Sequence, residues 1–454
     1  MKSMRKFLIL FFTFLIGAGQ SFAFDVVLPK EKKLIMNTKY AFFVGHARIG
    51  ESVTVNGEHV PLASNGAFAF TMKLKEGENR IVLKSNYHNT RFYKIYKSPA
   101  AEVIKPKLEE FDKKYVSVLK DNTPMRDTPV DYGMNRISHL FGGTTLIVDG
   151  EKNGFYRVFL SKNKTGWIAK SAVTDIEPSQ EAPKFITMSS ETFKNASVNT
   201  IEFTGRLPYT IDETNNEIIF KVYNPQFADN SIYTVNIRKP KKYTYKVTLT
   251  NGVYVVKVNA LPVPDNENLE DINIVVDPGH GGSEKGAIGC LGDEEKEINL
   301  NIASELKDIL TQMGANVIMT RECDGEISLD DRVKMAKDNN ANIFVSVHLN
   351  SIPDIEFNSH KNRGTSVYYY NENSKEFAKI VENYVTEAAG TRKGGAKAAS
   401  FAVIRPTEYV GILVECAYMT NPYDSVLYKS DSFARNVARG IADGILNYVN
   451  NSCN

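Results

Sequence analysis

The sequence predicts a multidomain protein in which small all-β domains precede a C-terminal α/β domain. That last domain is expected to have a mostly parallel twisted sheet with helices on both faces. Three observations lead to this expectation. The chain has 454 residues, which is too long for a single hydrophobic core. Up to about residue 262, short alternating apolar stretches are separated by turns, as in half-buried strands. From about residue 272, short apolar runs alternate with long helical patterns, which is typical of a mostly parallel sheet covered by helices.

Residues 1–23 are expected to be a secretory signal peptide. Lys2, Arg5 and Lys6 precede an apolar stretch over residues 7–17, and residues 21–23 (Ser-Phe-Ala) supply small side chains for cleavage. The apolar stretch is shorter than the ~20 residues that a membrane-spanning helix needs, although an uncleaved anchor stays an alternative. We therefore expect an exported protein, in a periplasm or in the extracellular cell wall, with no membrane span in the mature chain.

The overall charge and the cysteine content exclude some classes of protein. The formal net charge is +2 and falls to −1 once the three basic leader residues are removed. Such a neutral chain does not indicate nucleic acid or an anionic membrane as a partner. Four cysteines are too few for a disulfide framework. The sequence does not determine the pairing among the four, which are Cys290, Cys323, Cys416 and Cys453.

Three β-rich segments are expected after the leader, and the first covers residues 24–99. Asn56-Gly57 and Asn65-Gly66 separate alternating apolar runs in this segment, and Asn-Gly between such runs is a strong hairpin signal. The segment is therefore expected to be a small β-sandwich, and it resembles bacterial immunoglobulin-like modules. Residues 100–114 are rich in proline, lysine and glutamate and are expected to form a linker.

The second and third β-rich segments cover residues 115–176 and 184–262. The second contains residues 125–129 (Met-Arg-Asp-Thr-Pro) and 164–168 (Lys-Thr-Gly-Trp-Ile), and it resembles a bacterial SH3-like barrel. In the third segment apolar and polar residues alternate, for example over residues 243–249. Alternation of this kind predicts a half-buried sheet.

Residues 272–454 are expected to form the α/β domain. Its first strand, over residues 272–277, is a continuous apolar run of the kind that is buried on both faces. A helix over residues 294–313 follows, because apolar side chains recur every three or four residues and Gly314 is a typical C-terminal cap. Ser328, with an acidic residue three positions later, resembles a capping box. The remaining elements are expected as strands over 316–320, 343–348, 365–370, 401–404 and 410–415, and as helices over 328–339, 374–389 and 432–449.

Four polar side chains are expected to meet at one edge of this sheet. His280 follows the first strand, His348 ends the third and Glu415 ends a late strand, and ligands bind off the carboxyl ends of such strands. Glu295 lies in the first turn of the helix that follows the first strand, so it faces the same edge. Two imidazoles and one carboxylate are a typical ligand set for a catalytic Zn²⁺, which keeps one position open for water. A further carboxylate beside that water transfers protons, so the pattern predicts metal-assisted hydrolysis.

Each of these residues has an alternative interpretation. A histidine after a glycine turn is often an ordinary loop residue, and Glu415 in an apolar strand would also suit a buried ion pair. Glu294 and Glu297 are close to Glu295 in sequence, and helix geometry allows only one of them to point at the metal. His360 lies in a polar loop and is expected at the surface.

Five motifs in this region resemble one known family. They are residues 274–282 (Ile-Val-Val-Asp-Pro-Gly-His-Gly-Gly), 295–300 (Glu-Lys-Glu-Ile-Asn-Leu), 320–321 (Thr-Arg), 346–350 (Ser-Val-His-Leu-Asn) and 413–422 (Leu-Val-Glu-Cys-Ala-Tyr-Met-Thr-Asn-Pro). In this order they resemble the zinc-dependent N-acetylmuramoyl-L-alanine amidases of amidase family 3.

The resemblance implies a role for each residue of the expected site. His280, Glu295 and His348 would hold one Zn²⁺, and Glu415 would be the catalytic acid and base. The substrate would be peptidoglycan, cleaved at the amide between the lactyl group of N-acetylmuramic acid and L-alanine. The chain departs from the family at two places outside these four residues, Asn342 and residues 416–418.

Four further residues are expected to support the site. Asp277 and Asn299 are expected to orient the metal ligands, and Arg405 and Asn350 to contact the substrate. Two other functions stay open, which are a zinc peptidase that acts on the stem peptide and a non-catalytic protein that binds the cell wall. The sequence identifies no protein regulator.

Overall fold

The structure, a computed structural model, describes residues 24–99, 106–177, 181–226, 231–264, 268–351 and 362–450. The expected signal peptide, His360 and Cys453 lie outside these residues. In the part of the chain that is described, no helix is both long and apolar enough to cross a membrane. The three cysteines described there are free, with Cys290 and Cys416 buried and Cys323 exposed.

The first β-rich segment folds into two sheets around a shared apolar core. Its strands are β1 (Asp25–Leu28), β2 (Lys33–Met36), β3 (Tyr40–His46), β4 (Val53–Val55), β5 (Glu58–Val60), β6 (Ala67–Lys73), β7 (Gly77–Ser85) and β8 (Thr90–Lys97). The sheet orders are β1-β3-β6 and β2-β8-β7-β4-β5. Asn56 and Gly57 both have positive φ angles, of 47° and 92°, and they connect β4 to β5 in the expected hairpin.

The second β-rich segment forms one sheet of seven strands, in the order β11-β10-β14-β13-β12-β9-β15. Its strands are β9 (Glu109–Val118), β10 (Thr123–Arg126), β11 (Arg136–Leu140), β12 (Thr145–Lys152), β13 (Phe155–Ser161), β14 (Lys164–Ala169) and β15 (Val173–Ile176). Strand β9 begins inside the stretch that was expected to be a linker, because residues at its start pair with the end of β12. Backbone pairing orders these residues although their side chains are polar and exposed.

The third β-rich segment consists of two sheets, β16-β17-β22-β21 and β18-β19-β20. Its strands are β16 (Phe185–Thr192), β17 (Ala196–Phe203), β18 (Tyr209–Glu213), β19 (Glu217–Asn224), β20 (Ser231–Arg238), β21 (Tyr243–Thr250) and β22 (Val253–Ala260). Its apolar side chains share one buried cluster with those of the second segment. The Tyr209 hydroxyl also donates a hydrogen bond of 2.6 Å to the His139 carbonyl oxygen across that junction.

The C-terminal α/β domain has six strands in the order β24-β23-β25-β28-β26-β27. Neighbouring strands are parallel except β26 and β28, which are antiparallel. The elements are β23 (Asn273–Pro278), α1 (Glu295–Gln312), β24 (Asn316–Met319), α2 (Leu329–Asp338), β25 (Ile343–Asn350), β26 (Thr365–Tyr369), α3 (Glu372–Ala389), β27 (Lys393–Ala398), β28 (Val410–Tyr418), α4 (Pro422–Tyr428) and α5 (Phe433–Asn450).

Alternation along the central strands explains why both faces of this sheet are covered. In β23, Ile274 and Val276 belong to the large cluster that contains buried residues of α1, α3 and α5. Val275 belongs to a smaller cluster on the opposite face, together with Ala336 of α2 and Phe344 of β25. Because successive side chains of a strand point to opposite faces, a continuous apolar run serves both clusters.

Three elements differ from the sequence-based expectation. The strand expected over residues 401–404 is wrong, because Ala402–Ile404 is one turn of 3₁₀ helix that buries Val403 and Ile404. A short apolar run is compatible with a strand or with a helical turn. Strand β27 (Lys-Gly-Gly-Ala-Lys-Ala) was not predicted, since it lacks β-forming side chains and forms by pairing at the sheet edge. Helix α4 was also missed, although Asn421 caps it and Pro422 begins it.

Candidate metal and hydrolase site

Three side chains that were expected to bind a metal lie close together at the carboxyl end of the sheet. The Nε2 atom of His280 is 3.2 Å from Oε2 of Glu295, and Nδ1 of His348 is 2.9 Å from Oε1 of the same carboxylate. One ligand atom from each residue can be chosen so that all three lie within 4.8 Å of one another. Glu295 is buried, whereas Glu297 is exposed and Glu294 caps the helix. The described geometry therefore favours Glu295 over its neighbours.

The chain reaches this arrangement through a strained turn after β23. His280 has a φ angle of +61°, in a left-handed region that side chains other than glycine rarely adopt. Such strain occurs mainly where the surrounding structure holds a functional residue in place. Glycine at 279 is required as well, since a Cβ atom there would lie 2.1 Å from the His348 ring. A Cβ atom at Gly286 would lie 2.5 Å from Oε2 of Glu295.

The Glu295 carboxylate is held by several donors. Oε2 accepts a hydrogen bond of 2.7 Å from the amide of Ala287, and Oε1 accepts one of 3.1 Å from the amide of Leu349. Burial alone would raise the pKa of Glu295, but hydrogen bonds with His280 and His348 lower it far below its ordinary value. The group is therefore a permanent negative charge between two imidazoles, which suits a divalent cation.

Glu415 completes the group of four residues. It lies beside His348 in the register of the parallel strands β25 and β28. Its Oε2 atom is buried and has no hydrogen-bond partner among the described residues. Burial raises the pKa of Glu415 to about 7, although the positive charge of His348 lowers it. A carboxyl group with a pKa near neutral can both accept and donate a proton.

Asp277 supports the site indirectly, through a network that the sequence did not reveal. Its carboxylate accepts hydrogen bonds from Thr320 and Ser346, and Nη1 of Arg332 lies 2.6 Å away. Nη2 of Arg332 donates to the carbonyl oxygen of His280 at 2.8 Å. Asp277 and Arg332 thus hold the turn that carries one expected ligand. Nothing in the local sequence of α2 marked Arg332, since its role depends on how α2 packs on the sheet.

Asn299 lies one helical turn after Glu295 and contacts it directly. Its Nδ2 atom donates to Oε1 of Glu295 at 3.3 Å and to the carbonyl oxygen of Gly279 at 3.2 Å. The side chain is fully buried. It therefore connects the helix that carries Glu295 to the turn that carries His280.

The four residues line a cleft of about 530 Å³, which is within the range of small-molecule sites. Apolar side chains on its rim include Leu329 and Phe401, which are 58% and 37% exposed. Asn350 also lines the cleft, at the end of β25. Arg405 lies outside this lining, because its Nε atom donates to Oγ of Ser400 at 2.9 Å.

Comparisons with known proteins identify relatives of this chain. The model of the family described as N-acetylmuramoyl-L-alanine amidase matches residues 274–447. The uncharacterized protein YqiI of Bacillus subtilis is 33% identical over 186 residues, which cover 40% of this chain and 87% of that protein. N-acetylmuramoyl-L-alanine amidase AmiC of Neisseria meningitidis is 32% identical over 225 residues, with 39% of this chain and 53% of that protein covered.

A solved structure is also similar to part of this chain. The catalytic domain of CwlV, an amidase from Paenibacillus polymyxa, is 36% identical, covers 39% of this chain and 97% of that domain, and has a TM-score of 0.37. The chain spans only 53% of AmiC and 61% of the probable cell wall amidase LytH of Staphylococcus saprophyticus. Through its C-terminal α/β domain, the chain belongs to the N-acetylmuramoyl-L-alanine amidase family, amidase family 3.

Proposed function

We propose that this protein is a zinc-dependent N-acetylmuramoyl-L-alanine amidase that cleaves the amide between N-acetylmuramic acid and L-alanine in peptidoglycan. The observation that carries the proposal is the placement of Glu415 beside a group of His280, Glu295 and His348 at one end of a cleft. Two imidazoles, a carboxylate and a separate proton-transferring acid are the parts that a mononuclear zinc hydrolase needs.

The residues present fit a zinc ion. The donor atoms are two imidazole nitrogens and a carboxylate oxygen, which is a ligand set that zinc prefers over calcium or magnesium. The low pKa of Glu295 keeps its carboxylate deprotonated, as a ligand must be. When bound, zinc would polarise the amide carbonyl and lower the pKa of a water molecule toward ~7.

The chain's own residues account for the proton transfers. Glu415 accepts a proton from the attacking water and then donates it to the nitrogen of the departing L-alanine. Its pKa of about 7 suits both directions of transfer near neutral pH. Asn350 and the apolar rim formed by Leu329 and Phe401 contact the substrate across the cleft.

The products of digestion separate this function from its two rivals. Incubated with purified cell-wall sacculi, the full chain is expected to release stem peptides with a new L-alanine amino terminus and to leave peptide-free glycan. A stem-peptide peptidase would expose a different amino terminus, and a wall-binding protein would release nothing. Mass analysis of the soluble products distinguishes the three results.

Zinc content provides the accompanying test of the metal site. The purified chain is expected to contain about one zinc per molecule, and His348→Ala is expected to lose most of that zinc together with the activity. Atomic absorption measures the first property and peptide release the second. Equal zinc content in both proteins would contradict the assignment of His348 as a ligand.

Asn299→Leu is expected to weaken zinc binding by about 10- to 100-fold, which is the usual effect of removing a group that orients a metal ligand. The reason is that Glu295 loses the donor at 3.3 Å and the turn at Gly279 loses a hydrogen bond. Asn301→Leu is the matched control, since Asn301 is exposed on the same helix. Competition with a chelator measures both affinities. Similar affinities for the two variants would show that Asn299 does not act on the ligand.

The segments upstream of the catalytic domain are proposed to contribute to activity on the same substrate, peptidoglycan. We infer that residues 1–23 direct export to a periplasm or to the extracellular cell wall and are then removed. The β-sandwich-like module (24–99), the SH3-like barrel (115–176) and the β-rich module (184–262) are proposed to hold the catalytic domain (272–454) against peptidoglycan. The free and buried state of Cys290 and Cys416 is consistent with a fold that needs no disulfide between them.

A further inference from the structure

The SH3-like segment packs against the catalytic domain close to the cleft. A Cβ atom added at Gly133, between β10 and β11, would lie 2.4 Å from the Cβ of Ser400. The Gly133 backbone therefore packs closely against the Ser400 side chain, and glycine is the residue that fits at this point. Residues 401–403, which follow Ser400, line the cleft. The junction between the two segments is thus continuous with one wall of the site.

Three arginines meet at this junction, and we call Arg126, Arg136 and Arg405 the arginine cluster. Arg126 has local partners, since Nη2 lies 2.5 Å from Oδ1 of Asp131 and Nη1 donates to the carbonyl oxygen of Tyr132 at 2.9 Å, while its Nε atom has no hydrogen-bond partner among the described residues. Arg126 is also buried, which makes it part of the structure of the loop. The charges of the other two arginines, Arg136 and Arg405, are not balanced in this way.

Arg136 and Arg405 lack carboxylate partners within the described residues. Nη1 of Arg136 is 3.3 Å from Nε2 of His139, and its Nε atom is buried without a hydrogen-bond partner among the described residues. The contacts of Arg405 are Oγ and the carbonyl oxygen of Ser400. Both side chains are half-buried, and a partly desolvated cation without a carboxylate partner favours the approach of an anion.

The pKa shifts of the neighbouring groups agree with these contacts. Burial lowers the pKa of Arg136, and the positive charges of Arg405 and Arg126 lower it further. Burial lowers the pKa of Arg405 too. Burial and the charge of Arg136 lower the pKa of His139 to about 4, so this imidazole is neutral. The guanidinium groups of Arg126, Arg136 and Arg405 therefore carry the positive charge here, and the carboxylate of Asp131 acts against it at Arg136 and Arg405.

We propose that Arg136 and Arg405 together bind a carboxylate of the stem peptide whose amide bond lies in the cleft. This inference rests on the proposed amidase function and names a substrate subsite for it, shared by two segments of the chain. A guanidinium matches a carboxylate in shape and charge and can bind it through two parallel hydrogen bonds. A stem peptide extends away from the scissile amide and carries free carboxyl groups, so it presents this anion beside the site.

The proposed subsite is tested by measuring peptide binding in a variant that is not expected to turn the peptide over. In full-length protein carrying Glu415→Gln, the dissociation constant is measured by calorimetry for a muramyl peptide with free carboxyl groups and for the same peptide with those groups amidated. The free peptide is expected to bind more tightly. Adding Arg136→Gln or Arg405→Gln is expected to weaken its binding by about 10- to 100-fold, as for lost hydrogen bonds to a charged group, and to remove the preference. Arg136→Lys keeps the charge but not the forked donors, so it is expected to retain part of the preference for the free peptide.

A control variant and separate readouts keep the outcomes distinct. Arg435→Gln removes an arginine of α5 that is 74% exposed and pairs with Glu305, and it should leave the preference unchanged. Because Arg136 and Arg405 lie on different segments, one variant remains informative if the other does not fold. An unchanged preference in both would overturn the subsite alone. Failure of the unmodified chain to release peptides from sacculi would overturn the amidase proposal, and the subsite with it. Competition by glycerol phosphate with no preference for free carboxyls would assign the arginines to a phosphate-bearing polymer instead.

Discussion

Glu415→Gln is expected to lower the turnover number on peptidoglycan by about 10²- to 10⁴-fold, which is the usual contribution of a positioned acid and base. Glutamine has nearly the same shape, but it cannot accept a proton from water or return one to the leaving nitrogen. The proposed metal ligands are three other side chains, so the zinc content should not change. Release of stem peptides under saturating substrate, together with metal analysis, measures both properties.

The matched control for this substitution is Glu387→Gln, since Glu387 is exposed on α3. It is expected to have the activity of the unmodified chain. Near-normal turnover of Glu415→Gln would refute the role of Glu415 in proton transfer. A loss of zinc in the same variant would instead make Glu415 a metal ligand.

The position of the site could be predicted because it follows from topology. His280, His348 and Glu415 each stand at or just beyond the carboxyl end of a strand, and neighbouring parallel strands present these ends at one edge. Residues far apart in sequence are thereby brought together without any information on side-chain packing. Their chemical roles remain predictions that the experiments above test.

The expectation that a β-rich N-terminal region precedes a C-terminal α/β domain is confirmed, since strands β1–β22 precede the first long helix. Long periodic patterns such as that of α1 identify an element reliably because many residues contribute to the signal. Strand β27 has no such pattern. It forms because β26 supplies hydrogen-bond partners at the sheet edge, and pairing of that kind cannot be seen in a short glycine-containing segment.

The orientation of long polar side chains was also beyond prediction. Arg405 was expected to contact the substrate, and its Nε atom donates a hydrogen bond to Ser400 at the junction with the second β-rich segment. The position of Gly133 against Ser400 depends on how two separate segments pack. Neither segment carries that information in its own residue pattern, so the proposed shared subsite could not be predicted from the sequence.

Arg332→Met is expected to lower the free energy of unfolding of the catalytic domain by about 3–5 kcal/mol, the usual effect of removing one partner from a buried ion pair. The exposed fractions of Arg332 and Asp277 are only 3% and 1%, so water cannot compensate for the lost guanidinium. The Asp277 carboxylate would keep Thr320 and Ser346 as donors but would lose its counter-charge. Denaturant unfolding followed by circular dichroism gives the change.

Lys334→Met on the same helix is the control for that prediction, because Lys334 is 70% exposed and pairs with Asp338 at the surface. Exposed pairs contribute no more than about 1 kcal/mol, so the two variants should differ clearly. Arg332→Met also removes the donor to the carbonyl oxygen of His280. It should therefore weaken zinc binding even under conditions where the domain remains folded. Equal stability of the two variants would show that the buried pair does not hold the turn, and the strained φ angle of His280 would then need another source of support.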